Sequence, residues 1–257
     1  MQQLNVPTTY TTYEYMRRGL EPFLPPLYRT VRRKLVSEIK TRGENLEVLD
    51  VGGRKSPYTI GIPARVTVID LPRESELQNT LNLGINANII RDLENNRSNI
   101  CNFVLGDMTG SDFHSNSFDL VVSVEVLEHV EEDARFVSEV ARVLRPGGAF
   151  FMTTPNGDYL ENRNPDHKRH YRREQLTSLL TRYFDDVRVE YGIAGGYYRK
   201  LGLKSWEIRK PIQTISSAIG NIVNSIQSSQ PGIEERAIGT HHLLAVARNK
   251  RTYSIAA

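Results

Sequence analysis

Three aspartates carry most of the chemical information in this chain. Asp50 lies in Glu47-Val48-Leu49-Asp50-Val51, Asp70 ends Val66-Thr67-Val68-Ile69, and Asp107 follows Phe103-Val104-Leu105-Gly106. Each apolar run suits a buried strand of a parallel sheet. Acids at the tips of successive strands collect at one sheet edge, where open α/β sheets bind nucleoside-like ligands. Gly52 and Gly53 follow the first acid and let backbone come close to such a ligand.

Other residue types suited to chemistry follow. His167 and His170 lie in Pro165-Asp166-His167-Lys168-Arg169-His170, and either can take a proton near neutral pH. Glu125, Glu128 and His129 form an E-x-x-E-H run whose spacing of three and four residues would set them on one helical face. That spacing could hold a divalent metal. The simpler reading is expected, with no metal: Glu128 and His129 stabilise the turn after a strand, and Glu125 faces the ligand. Tyr10, Tyr13, Tyr15, Tyr197 and Tyr198 could stack on a ring or sugar, or be ordinary surface and core tyrosines.

The elements that must position these groups alternate. Strands are expected at Glu47–Val51, Val66–Asp70, Asn102–Leu105, Phe118–Val124, Ala149–Thr154, Val187–Tyr191 and His242–Ala247. Val31, Leu35 and Ile39 follow Leu27 at helical spacing, with Gly43 as the stop. Phe136, Val140, Val143 and Leu144 share a helical face, ended by Pro146-Gly147-Gly148, and Leu176, Leu179 and Leu180 mark another helix. Residues 1–26 read as irregular, a flexible arm or lid. Ile212, Ile215, Ile219, Ile222, Val223 and Ile226 form a helical stripe whose opposite face is Ser, Asn, Gln and Thr. Lacking basic residues, that helix is a poor electrostatic membrane binder. Its stripe is expected to pack on the protein, close a substrate pocket or pair with another subunit.

At 257 residues, 39% hydrophobic and 25% charged, the chain suits a soluble globular fold. A net charge of +3 is too small to imply nucleic acid, and the basic clusters, such as Arg199, Lys200, Lys204, Arg209 and Lys210, lie outside the strands. The single cysteine, Cys101, excludes an internal disulfide and is expected as a small core residue. The N-terminus has neither the basic start nor the apolar stretch of a secretory signal, and no run reaches membrane-spanning length, so the cytoplasm is the expected compartment.

The ordered segments VLDVGG, VTVID, NFVLGDM, FDLVVSVEVLEHV and FVSEVARVLRPGGAFFMTTPN resemble the class I S-adenosylmethionine-dependent methyltransferases, over residues 45–191 and the last strand. The E-x-x-E-H run is similar to that of the ubiquinone-pathway branch. The resemblance implies an α/β, Rossmann-like sheet of seven strands, mostly parallel, with an antiparallel last strand and helices on both faces. It divides the chain into an arm and helix (1–44), a donor-binding core (45–191), a helical insertion serving as substrate cap or dimer contact (192–240), and the last strand and tail (241–257). It implies S-adenosyl-L-methionine as cofactor. Asp50, Gly52 and Gly53 match the motif around its methionine portion, and Asp70 the acid that binds both ribose hydroxyls, with Leu71 beside it. Asp107 and Met108 match the pair at the adenine. Ser123 and Glu125 would leave strand four beneath the reactive end. Twenty residues separate Asp50 from Asp70, as a strand–helix–strand unit requires.

One departure stands out. The family reads Gly-x-Gly-x-Gly where this chain reads Gly52-Gly53-Arg54-Lys55-Ser56. A rebuilt loop is expected, with Arg54 pairing with the donor carboxylate. The resemblance also sets the His167/His170 loop beside the acceptor, which favours methylation of a hydroxyl on a small metabolite, glycan or lipid-linked head group. Nitrogen or carbon acceptors, and a binding protein without catalysis, stay open. No nucleic-acid partner and no stable membrane insertion are expected, and a homodimer is one use for the Ile-rich helix.

Overall fold

The computed structural model describes residues 10–43, 45–72 and 85–249. The first nine residues of the expected arm and the last eight of the expected tail lie outside the described residues. Seven strands form one sheet: β1 (Glu47–Val51), β2 (Arg65–Asp70), β3 (Ile100–Leu105), β4 (Phe118–Val124), β5 (Leu144–Pro155), β6 (Asp186–Ala194) and β7 (Thr240–Arg248). Their order is β3-β2-β1-β4-β5-β7-β6. The first five run parallel, and β7 inserts antiparallel between β5 and β6. This is the expected fold class.

The helices are α1 (Thr12–Leu20), α2 (Pro26–Arg42), α3 (Ala87–Asn96), α4 (Asp133–Val143), α5 (Arg173–Leu180), α6 (Tyr197–Gly202) and α7 (Pro211–Gln227). Two apolar clusters cover the two faces of the sheet. One joins Phe136 and Val140 of α4 and Leu176 and Leu180 of α5 to Phe150 and Leu243 of the strands. The other sets Val31, Leu35 and Ile39 of α2 against Val48, Val66 and Leu120. The alternate residues of each buried strand feed opposite clusters, which explains the near-continuous apolar runs.

Several local expectations change. The segment expected to be irregular contains α1, started by a capping box: the Thr11 hydroxyl accepts from Glu14 N at 3.1 Å, and Thr11 N donates to Glu14 Oε2 at 2.8 Å. Helix α4 stops at Val143 rather than at the Pro-Gly-Gly run. Arg145 precedes Pro146, which disfavours helical backbone there, and Leu144 already pairs with Phe118. Cys101 is exposed on edge strand β3, not a core residue.

The Ile-rich helix is turned the other way round. Ser217, Gly220, Asn221 and Asn224 are its buried residues, whereas Ile212 is 81% exposed and Ile226 65%. The inward face meets backbone carbonyls. Asn221 Nδ2 donates to Phe23 O at 2.9 Å, Asn224 Nδ2 to Ala194 O at 2.7 Å, and Ser217 Oγ to Gly202 O at 2.8 Å. Gly220 lets the backbones of α6 and α7 approach, since a Cβ there would stand 2.8 Å from Gly202 N. The stripe therefore does not pack on the body of the protein. Among the described residues, no helix is long and apolar enough to cross a membrane.

Candidate active site

The carboxyl ends of β1 to β4 open onto a cavity of about 560 Å³. Gly52 and Arg54 line it after β1, Asp70 and Leu71 after β2, Asp107 and Met108 after β3, and Glu125 after β4. Seven expected donor-site residues thus converge on one space. Gly52 has φ +72, and a Cβ there would stand 2.7 Å from Val126 Cγ2, so the turn requires glycine. Asp70 Oδ1 accepts from Leu71 N at 2.8 Å and Asp107 Oδ1 from Thr109 N at 2.8 Å. These bonds fix each carboxylate at the cavity edge. The residues fit the nucleoside donor: two anchored acids, the buried Met108 as an apolar cover, and close backbone at Gly52.

Asp50, Gly53 and Ser123 do not line this cavity. Asp50 is fully buried behind it and organises the loop. Ser56 Oγ donates to its Oδ1 at 2.9 Å and Thr59 Oγ1 to its Oδ2 at 2.6 Å. Arg97 Nη2 reaches the same Thr59 hydroxyl at 2.7 Å. Burial pushes the Asp50 carboxyl up to about 6, with Arg97 and the hydroxyls opposing. Ser56, which replaces a family glycine, thus becomes a tie holding the loop to β1. Gly53 permits that tie, since a Cβ there would meet Asp50 Cγ at 2.6 Å. Ser123 is buried, and its Oγ makes no hydrogen bond.

Glu125 sits at the turn out of β4 with φ +56, a backbone state uncommon for glutamate that recurs at functional sites. Thr153 Oγ1 donates to its Oε1 at 2.9 Å, and His242 Nε2 stands 3.4 Å from its Oε2. Burial alone would raise the Glu125 carboxyl, but His242 and the Thr153 hydroxyl outweigh it and hold it below the usual range. Glu128 is the opposite case: burial, then the charge of Glu125, keeps its carboxyl well above the usual range.

His167 and His170 line neither this cavity nor the smaller one beside it. His167 Nδ1 is 2.9 Å from His170 Nε2, and the His167 ring meets His129 edge-on at 4.7 Å between centroids. His129 is the member of the three that reaches the cavity wall. Burial, then His129 and His170, lower the His167 pKa. Ligand atoms of Glu128, His129 and His167 lie within 4.8 Å of one another. The tyrosines that could stack on a ligand line neither cavity; Tyr10 and Tyr15 pack edge-on together, as do Tyr197 and Tyr198.

A second cavity, of about 130 Å³, lies on the far side of Glu125. Tyr28, Arg199, Asn221, Asn224 and His242 line it, and Glu125 is the one residue common to both linings. Sequence reading missed His242, Arg199 and Thr153. His242 looked like the opening of a strand, and Arg199 like one of a surface cluster.

Comparison with known proteins agrees with this geometry. Residues 49–152 match a family model described as a methyltransferase domain. A "probable S-adenosylmethionine-dependent methyltransferase" of Mycolicibacterium smegmatis is 41% identical over 85 residues, 31% of this chain and 33% of that protein. The ubiquinone biosynthesis O-methyltransferase of Bartonella tribocorum is 24% identical over 155 residues, 54% of this chain and 56% of that one. The first of these matches thus spans about a third of its relative's length. Among solved structures, phosphoethanolamine N-methyltransferase 2 of Haemonchus contortus, in complex with S-adenosyl-L-methionine, superposes with a TM-score of 0.53 at 19% identity, covering 85% of this chain and 53% of that one. Residues 49–152 are thus a methyltransferase domain, and through it the chain is similar to S-adenosylmethionine-dependent methyltransferases, whose fold it shares.

Proposed function

We propose that the protein transfers a methyl group from S-adenosyl-L-methionine to a hydroxyl of a small metabolite, glycan or lipid-linked head group. The observation that carries this reading is the convergence of Gly52, Asp70, Asp107, Met108 and Glu125 on one cavity at the carboxyl edge of the sheet. The donor supplies an activated methyl on a sulfonium. The chain's own task is to bind, align and exclude water. Asp70 receives the ribose hydroxyls and Asp107 the adenine amine, with Met108 against the ring. Arg54 pairs with the donor carboxylate, and Asp50 with Gly53 shapes the turn around it. Glu125 marks the end of the cavity from which the methyl leaves. The same reading makes the protein a cytoplasmic enzyme, in keeping with one cysteine and no disulfide. Calorimetry with S-adenosylmethionine, followed by transfer of labelled methyl groups, tests it. No donor binding by folded protein would overturn it.

We also propose that a second copy of the chain covers the exposed stripe of α7. Ile212, Ile215, Ile219, Ile222 and Ile226 recur along α7 at intervals alternating between three and four, the heptad spacing of a helix-pairing seam. Exposed Lys204 and Arg209 precede the stripe, and exposed Glu234 and Glu235 follow it. Antiparallel pairing about a two-fold axis sets each basic end against the partner's acidic end.

A further inference from the structure

We infer that the second cavity is the acceptor site and that it takes a hydroxyl compound bearing an anionic group, with His242 receiving the hydroxyl proton and Arg199 holding the anion. This deepens the methyltransferase reading and rests on it. Glu125 lines both cavities, so an acceptor in the smaller one lies across this one residue from the larger. Pro26, Leu27 and Leu203 give the smaller cavity apolar walls, and its polar groups are few and converge.

Two of those groups each leave one buried atom without a hydrogen bond, and a third has no ion pair. His242 is 3% exposed, and its Nδ1 makes no hydrogen bond. Asn224 is fully buried, and its Oδ1 also makes none, although its Nδ2 is spent on Ala194 O. Native proteins rarely leave such atoms unsatisfied without a ligand or water to meet them. Arg199 is half-buried on α6; the Glu125 carboxylate acts on it across the cavity, but no carboxylate among the described residues lies within ion-pair distance of it. A guanidinium held partly out of water without a carboxylate is a site for a bidentate anion, a carboxylate or phosphate.

The chemistry follows from these atoms. The Glu125 carboxylate favours the His242 tautomer with hydrogen on Nε2, which leaves the Nδ1 lone pair as proton acceptor. The acceptor oxygen forms the O–CH₃ bond as the S–CH₃ bond breaks. That bond's electron pair stays on sulfur, which departs as a neutral thioether, and the hydroxyl proton passes to His242 Nδ1. Glu125 then faces an imidazolium and stabilises it. Asn224 Oδ1 accepts from a second hydroxyl of the acceptor.

The test offers methyl-labelled donor to the full chain with glycerate, glycerol 3-phosphate and 4-hydroxybenzoate, against glycerol, 4-hydroxybenzyl alcohol and ethanolamine. Label should enter an anionic member. Arg199→Gln should raise its KM about tenfold or more, and Arg199→Lys by less. His242→Gln should lower kcat about a hundredfold. Calorimetric donor affinity should stay unchanged in all three variants, which establishes that they fold. Label on the neutral alcohols or ethanolamine alone, label on none while the donor binds, or an unchanged KM in Arg199→Gln would each overturn the inference. Failure of the wild-type chain to bind the donor would instead remove the methyltransferase reading, and this site with it.

Discussion

Glu125 and His242 stand 3.4 Å apart, one at the tip of β4 and the other on antiparallel β7, and only insertion of β7 beside β5 brings them together. Thr153 completes the group from β5. Three strands thus fix one carboxylate at the junction of two cavities, and rigid elements of this kind hold a reacting geometry better than a loop does.

Glu125→Gln should lower kcat by about a hundredfold while leaving the fold intact, because the amide keeps the size but not the charge that orients His242. His167→Ala and His170→Ala should change kcat by less than about tenfold, since neither lines either of the two cavities. Steady-state kinetics on one acceptor decides between Glu125 and the loop histidines; a larger loss in the loop variants would return the base to that loop.

Asp50 predicts a pH signature. Its carboxyl is raised from 3.8 to about 6 in the folded protein. Folding therefore favours the protonated form: its contribution is full below about pH 4 and is lost as pH rises through about 6. About 2 to 3 kcal/mol is at stake between pH 4 and 7. Denaturant unfolding should show the stability of wild type falling relative to Asp50→Asn over that window, whereas parallel curves would refute the shift.

Gly52→Ala should destabilise the protein by about 1 to 3 kcal/mol. It forces a side chain into φ +72 and against Val126 Cγ2. Because Gly52 lines the donor cavity, donor affinity should fall as well. Thermal unfolding with and without donor measures both; a variant as stable and as tightly binding as wild type would show that the turn tolerates a side chain.

The α7 stripe predicts a mass. Sedimentation should give a dimer for the wild type, and Ile215→Lys with Ile222→Lys should give a monomer that still binds the donor, since the stripe lies on the face of α7 away from the body. A wild-type monomer at micromolar concentration would contradict pairing.

The convergence of Asp70 and Asp107 on one cavity was legible because each strand delivers its acid locally: a short apolar run followed by an acid needs no knowledge of distant residues. The acceptor side was not. His242 gains its meaning from Glu125 across the sheet, and Arg199 from the surfaces packed around it. Periodicity marked the Ile stripe of α7, yet period alone cannot tell which face meets the body. Carbonyls at Phe23, Ala194 and Gly202 drew in the amide face instead. Helix α1 left a readable sign, Thr11 three residues before Glu14, within a segment that read as irregular. Ser56 read as a loss of glycine, and only the folded loop shows its hydroxyl on Asp50.

The most direct measurement is calorimetric titration of S-adenosylmethionine into wild type and Asp70→Ala. Wild-type protein should bind, and removing the ribose-facing carboxylate should weaken affinity at least about tenfold in a protein of unchanged stability. Equal affinity in the two proteins, or no binding to the folded wild type, would contradict the placement of the donor at this sheet edge.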